Sequence, residues 1–367
     1  MIAPESFSKE WIDQFRIEKG FPKLNPPILE KMIHALSLLE KLRLSGMEFI
    51  LKGGSSLILL LEQPRRFSVD IDILTTHSKE EIEKILDKVI KESHFTRYKL
   101  DDRRSFNERI PKAHYSFSYQ SEFSKRSNYI LLDILFEKSF YPKVIEVPIK
   151  TQWLKPDKET IFVKAPSVES ITGEKLTAFA PKTTGILYQK GKELEIIKQL
   201  FDLGDLFDNV TYFKTLRNSF LILVEKEIIY RQLNIGWEDV LDDIIETGLL
   251  IAQRGKITTE PQKSQFKELQ NGIMQIKSYL VTGVFRIDEA IEAAAKAAYM
   301  AAKIKTRDNE PLEIFDKTRD INDYLIKDQP YNYLNKLKKL PNGALFYWNH
   351  ALKLKKRFPV RKQSWKR

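Results

Sequence analysis

Hydrophobic positions recur along this chain with two different periods, and the period changes once. Residues 1–46 read as helical: Pro26-Pro27 precedes Ile28, Leu29, Met32, Ile33, Leu36, Leu38 and Leu39, an apolar face at helical spacing. Short β-type runs follow at 47–52, 68–74, 98–100, 113–119, 128–136 and 161–165. Between them lie a short helix over 56–62, ended ahead of Pro64, and a helix opened by Ser78 with Glu81 completing a capping box. From 168 onward the strand signals stop. Segments 168–179, 193–207, 262–280 and 288–304 carry helical spacing, the last rich in alanine, the strongest helix former. The order predicts an α+β protein. A mixed sheet flanked by helices occupies 1–165, and an all-helical region occupies 166–367.

The stretch 51–74, LKGGSSLILLLEQPRRFSVDIDIL, carries the chemistry. A strand breaks at Gly53-Gly54-Ser55, an apolar helix follows, and a second strand holds Asp70 and Asp72. The glycines let backbone N–H groups approach phosphate oxygens, and the positive end of the helix starting near Ser55 points at them. Residues two apart on a strand share a face, so Asp70 and Asp72 aim at one spot while Val69, Ile71 and Ile73 bury the other face. Two such carboxylates repel unless a cation sits between them, and Mg²⁺ (or Mn²⁺) is the usual solution beside phosphates. The expected substrate is a nucleoside triphosphate (NTP), with Ser55 and the N–H groups around Gly54 on its β- and γ-phosphates.

Asp133 offers a third acid, in a strand whose residues Ile130, Leu132, Ile134 and Phe136 are apolar. A charge there is costly unless it is paired or bound to a metal. Taken alone, it also fits a strand-edge acid facing water or paired with a basic residue. Beside Asp70 and Asp72 it completes the clamp that metal-assisted nucleotidyl transfer needs. Asp70 and Asp72 are then expected on the metal that bridges the triphosphate. Asp133 would complete a second metal and help deprotonate the acceptor hydroxyl.

Composition narrows the partners. The chain has 367 residues, no cysteine and a net charge of +11. Its length predicts two or three domains. Structural disulfides, thiolate zinc sites and cysteine nucleophiles are excluded, and a cytoplasmic location is expected. The longest apolar run, 57–61, is far too short to cross a bilayer, and there is no signal-peptide pattern, so no membrane partner is expected. Part of the charge sits at 353–367, where Phe358 and Trp365 interleave with Lys and Arg and no acid occurs. That tail reads either as a phosphate-backbone contact with aromatic stacking or as a solvated terminus. With a nucleotide-type site, the basic balance makes RNA an expected partner. No histidine has metal-ligand spacing, and His114 is expected to be structural. No G-x-S-x-G or P-loop lysine motif occurs to support a hydrolase or kinase-type reading.

Gly53-Gly54-Ser55 followed by Arg66-Phe-Ser68-x-Asp70-Ile-Asp72-Ile resembles the first motif of the AbiEii/AbiGii toxin family. These are nucleotidyltransferases of the DNA polymerase β superfamily, found in bacterial and archaeal toxin–antitoxin and phage-defence systems. Asp133 in LLDILFEK matches a third acidic position, and Lys175 in GEKLTAF matches a helical lysine. Lys198-Gln-Leu-Phe201-Asp202-Leu203 resembles a K-D-x-Y-D-L helix, with Gln199 in place of an acid. The resemblance implies a nucleotidyltransferase-like fold over 1–165 and a helical region that closes the nucleotide cleft. It adds Arg66, Ser68, Lys175, Lys198 and Asp202 to the expected nucleotide-binding set. It further implies the toxin of a type IV-like pair, moving a nucleoside monophosphate onto RNA (tRNA among the candidates) or protein, with a cognate antitoxin acting genetically or by direct contact. Lys198 and Asp202 also read as a plain i, i+4 ion pair on an exposed face. Two other functions fit the same residues. One is a non-catalytic nucleotide-binding regulator of an antitoxin or RNA. The other is an antibiotic-type small-molecule nucleotidyltransferase, whose acceptor pocket should be acidic.

Overall fold

The structure is a computed structural model that describes residues 1–101, 110–157, 159–256 and 259–356. Residues 357–367, with Phe358 and Trp365, lie outside the described residues, so the expectation for the basic tail is not addressed. The chain forms two compact units. The first comprises Met1–Ser167 and Ser278–Gly283, and the second comprises Val168–Lys277 and the chain from Val284 onward.

The first unit is built on a seven-stranded mixed sheet of order β3-β4-β5-β2-β1-β7-β6. The strands are β1 (Ile50–Lys52), β2 (Ile71–Thr75), β3 (Arg97–Leu100), β4 (Lys112–Gln120), β5 (Ser127–Phe136), β6 (Val144–Pro148) and β7 (Phe162–Pro166). β2–β5 and β1–β7 pair parallel, and the other neighbours pair antiparallel. Helices α1 (Lys9–Glu18), α2 (Pro26–Leu44), α3 (Gly53–Leu60) and α4 (Lys79–Lys91) complete it. The helix signals act as the sequence suggests. Asn25 accepts from the N–H of Ile28 with two prolines at the first turn of α2, and Ser78 with Glu81 forms the capping box of α4. α2 carries the apolar residues Leu29, Met32, Ile33, Leu36 and Leu39 into the core beside Ile71, Ile73, Leu132 and Ile134.

Three elements differ from the sequence expectation. β6 was not anticipated, because Val144–Pro148 is a five-residue edge strand whose alternation is interrupted by Glu146. The helix expected over 262–280 stops at Gln275 and tightens into a 3₁₀ turn, Ile276–Tyr279. Beyond it the chain is drawn into the first unit, where Phe67 N donates to Tyr279 O and Val281 N donates to Arg65 O, each at 2.8 Å. The expected strand 68–74 begins only at Ile71, which leaves Asp70 on a bend just ahead of the ladder.

The second unit is helical: α5 (Val168–Ala178), α6 (Glu193–Phe207), α7 (Phe213–Arg231), α8 (Trp237–Ala252), α9 (Glu260–Gln275), α10 (Ile287–Lys305) and α11 (Ala344–Lys356), with 3₁₀ turns Ile321–Tyr324 and Tyr331–Lys339. α10 is its axis and packs against α6, α8 and α11. Alanine makes that possible, since Ala293, Ala294, Ala297, Ala298 and Ala301 let neighbours approach from several sides. Even two of its lysines, Lys296 and Lys303, are buried. Lys296 meets Asp208 at 2.7 Å over the rings of Phe207 and Tyr347, and Lys303 meets Asp308 at 3.0 Å over Phe213 and Tyr299. Each charge is thus both paired and laid against aromatic faces, which offsets its desolvation. Among the described residues no helix is long and apolar enough to cross a membrane.

Candidate active site

In the first unit, β1 runs directly into α3, and the corner is Gly53, whose φ is +68°. That left-handed conformation is unstrained for glycine alone. A Cβ at Gly53 would run into the Asp72 carboxylate, and one at Gly54 would lie 2.8 Å from Ser68 Oγ and 3.0 Å from Arg66 Nη2. The two glycines therefore make the room in which the Arg66–Asp72 segment lies against the start of α3. Helix α3 begins at Gly53, three residues earlier than its apolar pattern suggests, so its first-turn N–H groups fall on the glycines themselves. Those groups have no intrahelical acceptor and sit at the positive end of the helix dipole.

Ser55 joins two segments of the site. It is buried, and its hydroxyl donates to the backbone carbonyl of Asp70, tying α3 to the acid-bearing segment. Ser56 is tied down as well, donating to Gly53 O at 2.8 Å. Arg66 is buried beside the turn, and its Nη1 donates to Phe67 O at 3.0 Å.

Strand register sets up the acids. Lys52 stands opposite Asp72, Asp72 stands beside Asp133, and Asp133 stands opposite His114. Residues directly across from one another share a sheet face, and neighbouring strands are about 4.8 Å apart. A polar row of four thus crosses β1, β2, β5 and β4, while Ile71, Ile73, Leu132 and Ile134 bury the opposite face. Asp70, on the bend, stands beside this row rather than in it. Carboxylates on adjacent strands repel unless positive charge or a proton is shared between them. The row supplies positive or proton-bearing groups at its ends, with Lys52 on one side and His114 on the other.

His114 is the residue that sequence reasoning set aside. Its Nδ1 lies 2.6 Å from Asp133 Oδ1, with the two side chains 11% and 26% exposed. Only the pairing of β4 with β5 reveals this, because the two residues are 19 apart in sequence. Among the described residues no group of three or more His, Asp or Glu side chains is gathered closely enough to hold a metal ion as it stands. The donor chemistry of Asp70, Asp72 and Asp133 nevertheless suits a hard cation such as Mg²⁺, since all are carboxylates beside a glycine cradle.

In the second unit, α5 and α6 place Lys175 against Asp202, with Nζ 2.8 Å from Oδ2 and the side chains only 5% and 1% exposed. Lys175 also donates to Gln199 Oε1 at 3.0 Å, and Gln199 in turn donates to Glu195 O at 3.2 Å. Asp202 is thus a buried partner of Lys175, not half of an exposed ion pair. Lys198 is largely covered too and pairs with Glu195 at 3.4 Å.

The model of the AbiEii nucleotidyl transferase toxin family, of type IV toxin–antitoxin systems, matches residues 37–275. The chain belongs to that family. The AbiEii match takes in the glycine corner, the three acids and the Lys175–Asp202 pair, and ends before the 3₁₀ turn Tyr331–Lys339. No curated protein matches the chain. Two solved structures from Helicobacter pylori are similar to it. One is a protein whose nucleotidyltransferase activity is presumed, 14% identical, covering 77% of this chain and 97% of its own with a TM-score of 0.43. The other is JHP933, 15% identical, covering 76% and 95% with a TM-score of 0.41.

Proposed function

We propose that this AbiEii-family toxin transfers a nucleoside monophosphate from an NTP to a hydroxyl of an RNA acceptor, tRNA included, with Mg²⁺ or Mn²⁺ held by Asp70, Asp72 and Asp133. The observation that carries the reading is the register of Asp72 beside Asp133, next to a glycine corner whose missing side chains leave space at the Asp72 carboxylate. In the proposed reaction the acceptor oxygen attacks the α-phosphorus, and the bond to the bridging oxygen of the β-phosphate breaks. Pyrophosphate leaves, and the hydroxyl proton passes to a carboxylate of the row. The bound cation would neutralise charge developing on the phosphates. The protein's own share is positional. First-turn N–H groups of α3 and the Arg66 guanidinium bind phosphate oxygens, Ser68 lines the same corner, and His114 orients Asp133. Lys175, Lys198 and Asp202 are assigned to the nucleotide. A cognate antitoxin, acting on expression or by direct contact, restrains the activity in the cytoplasm, and phage defence is the setting in which the pair would serve. Incubating the full chain with each α-labelled NTP, Mg²⁺ and total RNA tests the proposal. Label is expected on RNA. Label on protein alone, or none with NTP still bound, would overturn it.

A further inference from the structure

The second unit contains a half-open cavity of about 640 Å³ walled by Arg254 and Lys256 after α8, Gln262 of α9, and Tyr333, Lys336 and Lys339 of the 3₁₀ turn Tyr331–Lys339. Among the described residues no Asp or Glu lines it. Two other cavities of about 590 Å³ differ in this respect. One mixes Glu62, Asp157 and Glu159 with Lys150 and Lys155, and the other sets Glu40, Glu92 and Glu122 against Lys41. Arg254 has its own partner, Asp288 at 2.5 Å, so the three exposed lysines carry the cavity's net charge.

The nine-residue 3₁₀ turn explains how they are arrayed. With three residues per turn, side chains at i and i+3 eclipse, which makes three columns along the turn. Leu334 and Leu337 form the buried column. Tyr333, Lys336 and Lys339 form the next, and all three line the cavity. At about 2.0 Å of rise per residue, members of a column are about 6 Å apart, the scale of successive phosphates along an extended nucleic-acid strand. Tyr333 is half buried, and its hydroxyl accepts from Gln253 Nε2 at 3.4 Å, which fixes the ring at the head of the column.

We propose that this cavity binds a single-stranded RNA segment, with Lys256, Lys336 and Lys339 on successive phosphates and a base stacked on Tyr333. The proposal rests on RNA being the acceptor and names the surface that would hold it. Its Tyr333, Lys336 and Lys339 wall lies outside the stretch that the family model matches, and its Arg254, Lys256 and Gln262 wall lies within it.

The test measures binding of a short fluorescent single-stranded RNA to the full chain across a salt series, with no NTP present. Replacing Lys256, Lys336 and Lys339 together by Ala is expected to weaken binding at least about tenfold and to make the slope of log K against log salt shallower by about two, near 0.7 per lost contact. Lys336→Arg/Lys339→Arg retains the slope. Tyr333→Leu weakens binding about tenfold without changing the slope. Unchanged affinity and slope in the triple Ala variant, with its thermal midpoint also unchanged, would overturn the proposal. So would unchanged RNA binding alongside lost binding of inorganic triphosphate, which would make the cavity a small-anion site. Intact RNA binding in a wild-type protein that transfers no nucleotide would instead sink the proposed reaction and leave the cavity assigned.

Discussion

His114 Nδ1 and Asp133 Oδ1 lie 2.6 Å apart on adjacent antiparallel strands, with the imidazole almost wholly covered. A carboxylate held by a buried ring keeps one orientation, and oriented acids are what a clamp on a cation or an acceptor hydroxyl requires. His114→Ala is therefore expected to lower the transfer rate about 10- to 100-fold and to raise the divalent-cation concentration needed for half-maximal rate. His114→Gln, which keeps a side-chain donor, should recover part of both. Initial rates over a Mg²⁺ series check this, and an unchanged cation requirement in His114→Ala would reject the positioning role.

The glycine corner makes a separate prediction. Gly53→Ala forces an L side chain into a left-handed backbone and against the Asp72 carboxylate, so transfer should fall at least about tenfold along with stability. Gly46 is the control. It too has a positive φ, of +91°, but a Cβ there meets nothing within 4 Å. Gly46→Ala should cost stability by thermal melting while leaving the rate per folded molecule unchanged.

Much of this arrangement was legible before the fold was known, and the illegible part shares one cause. The alternation around Ile71 and Ile73, the Ser78–Glu81 capping box and the break at Gly53-Gly54 are local signals, and each element formed close to where they place it. His114 with Asp133 and Lys175 with Asp202 are contacts between separate elements, set by strand register and helix packing that no short window of sequence encodes. Ser55 shows the converse. Its motif position suggested a phosphate ligand, but burial turned the hydroxyl onto the Asp70 carbonyl. The helix through 262–280 broke at Gln275 because its end is hydrogen-bonded to Arg65 and Phe67, more than 200 residues earlier in the chain.

Lys175 and Asp202 should reveal a structural load alongside any contact with nucleotide. Lys175→Met leaves Asp202 charged in a site that is only 1% exposed, which is expected to destabilise the protein by about 3–5 kcal/mol. Lys175→Met/Asp202→Leu should recover most of that loss. Urea unfolding midpoints measure both, and a double variant no more stable than the single would show that the pair is not the source.

Two buried histidines predict an acid-side loss of stability. His34 Nδ1 and His94 Nε2 lie 2.7 Å apart, and burial holds His34 down to about 2 and His94 to about 4, from an ordinary 6.5. Between those values and 6.5 the unfolded chain binds protons that the folded chain does not. Stability therefore falls as pH drops below 6.5, by up to about 1.4 kcal/mol per pH unit for each histidine. The loss from His94 levels off near pH 4, and that from His34 continues lower. Denaturation between pH 7 and 4 should show a shallower pH slope in His34→Gln/His94→Gln than in the wild type. Equal slopes would contradict the assignment.

The most direct measurement of the central claim is transfer of α-labelled nucleotide to RNA by Asp72→Asn, an isosteric change that removes one charge from the acid row. The account predicts a folded protein, with an unchanged thermal midpoint or a higher one as carboxylate repulsion is relieved, whose transfer rate is reduced at least about a hundredfold. A folded Asp72→Asn protein that labels RNA at the wild-type rate would contradict it.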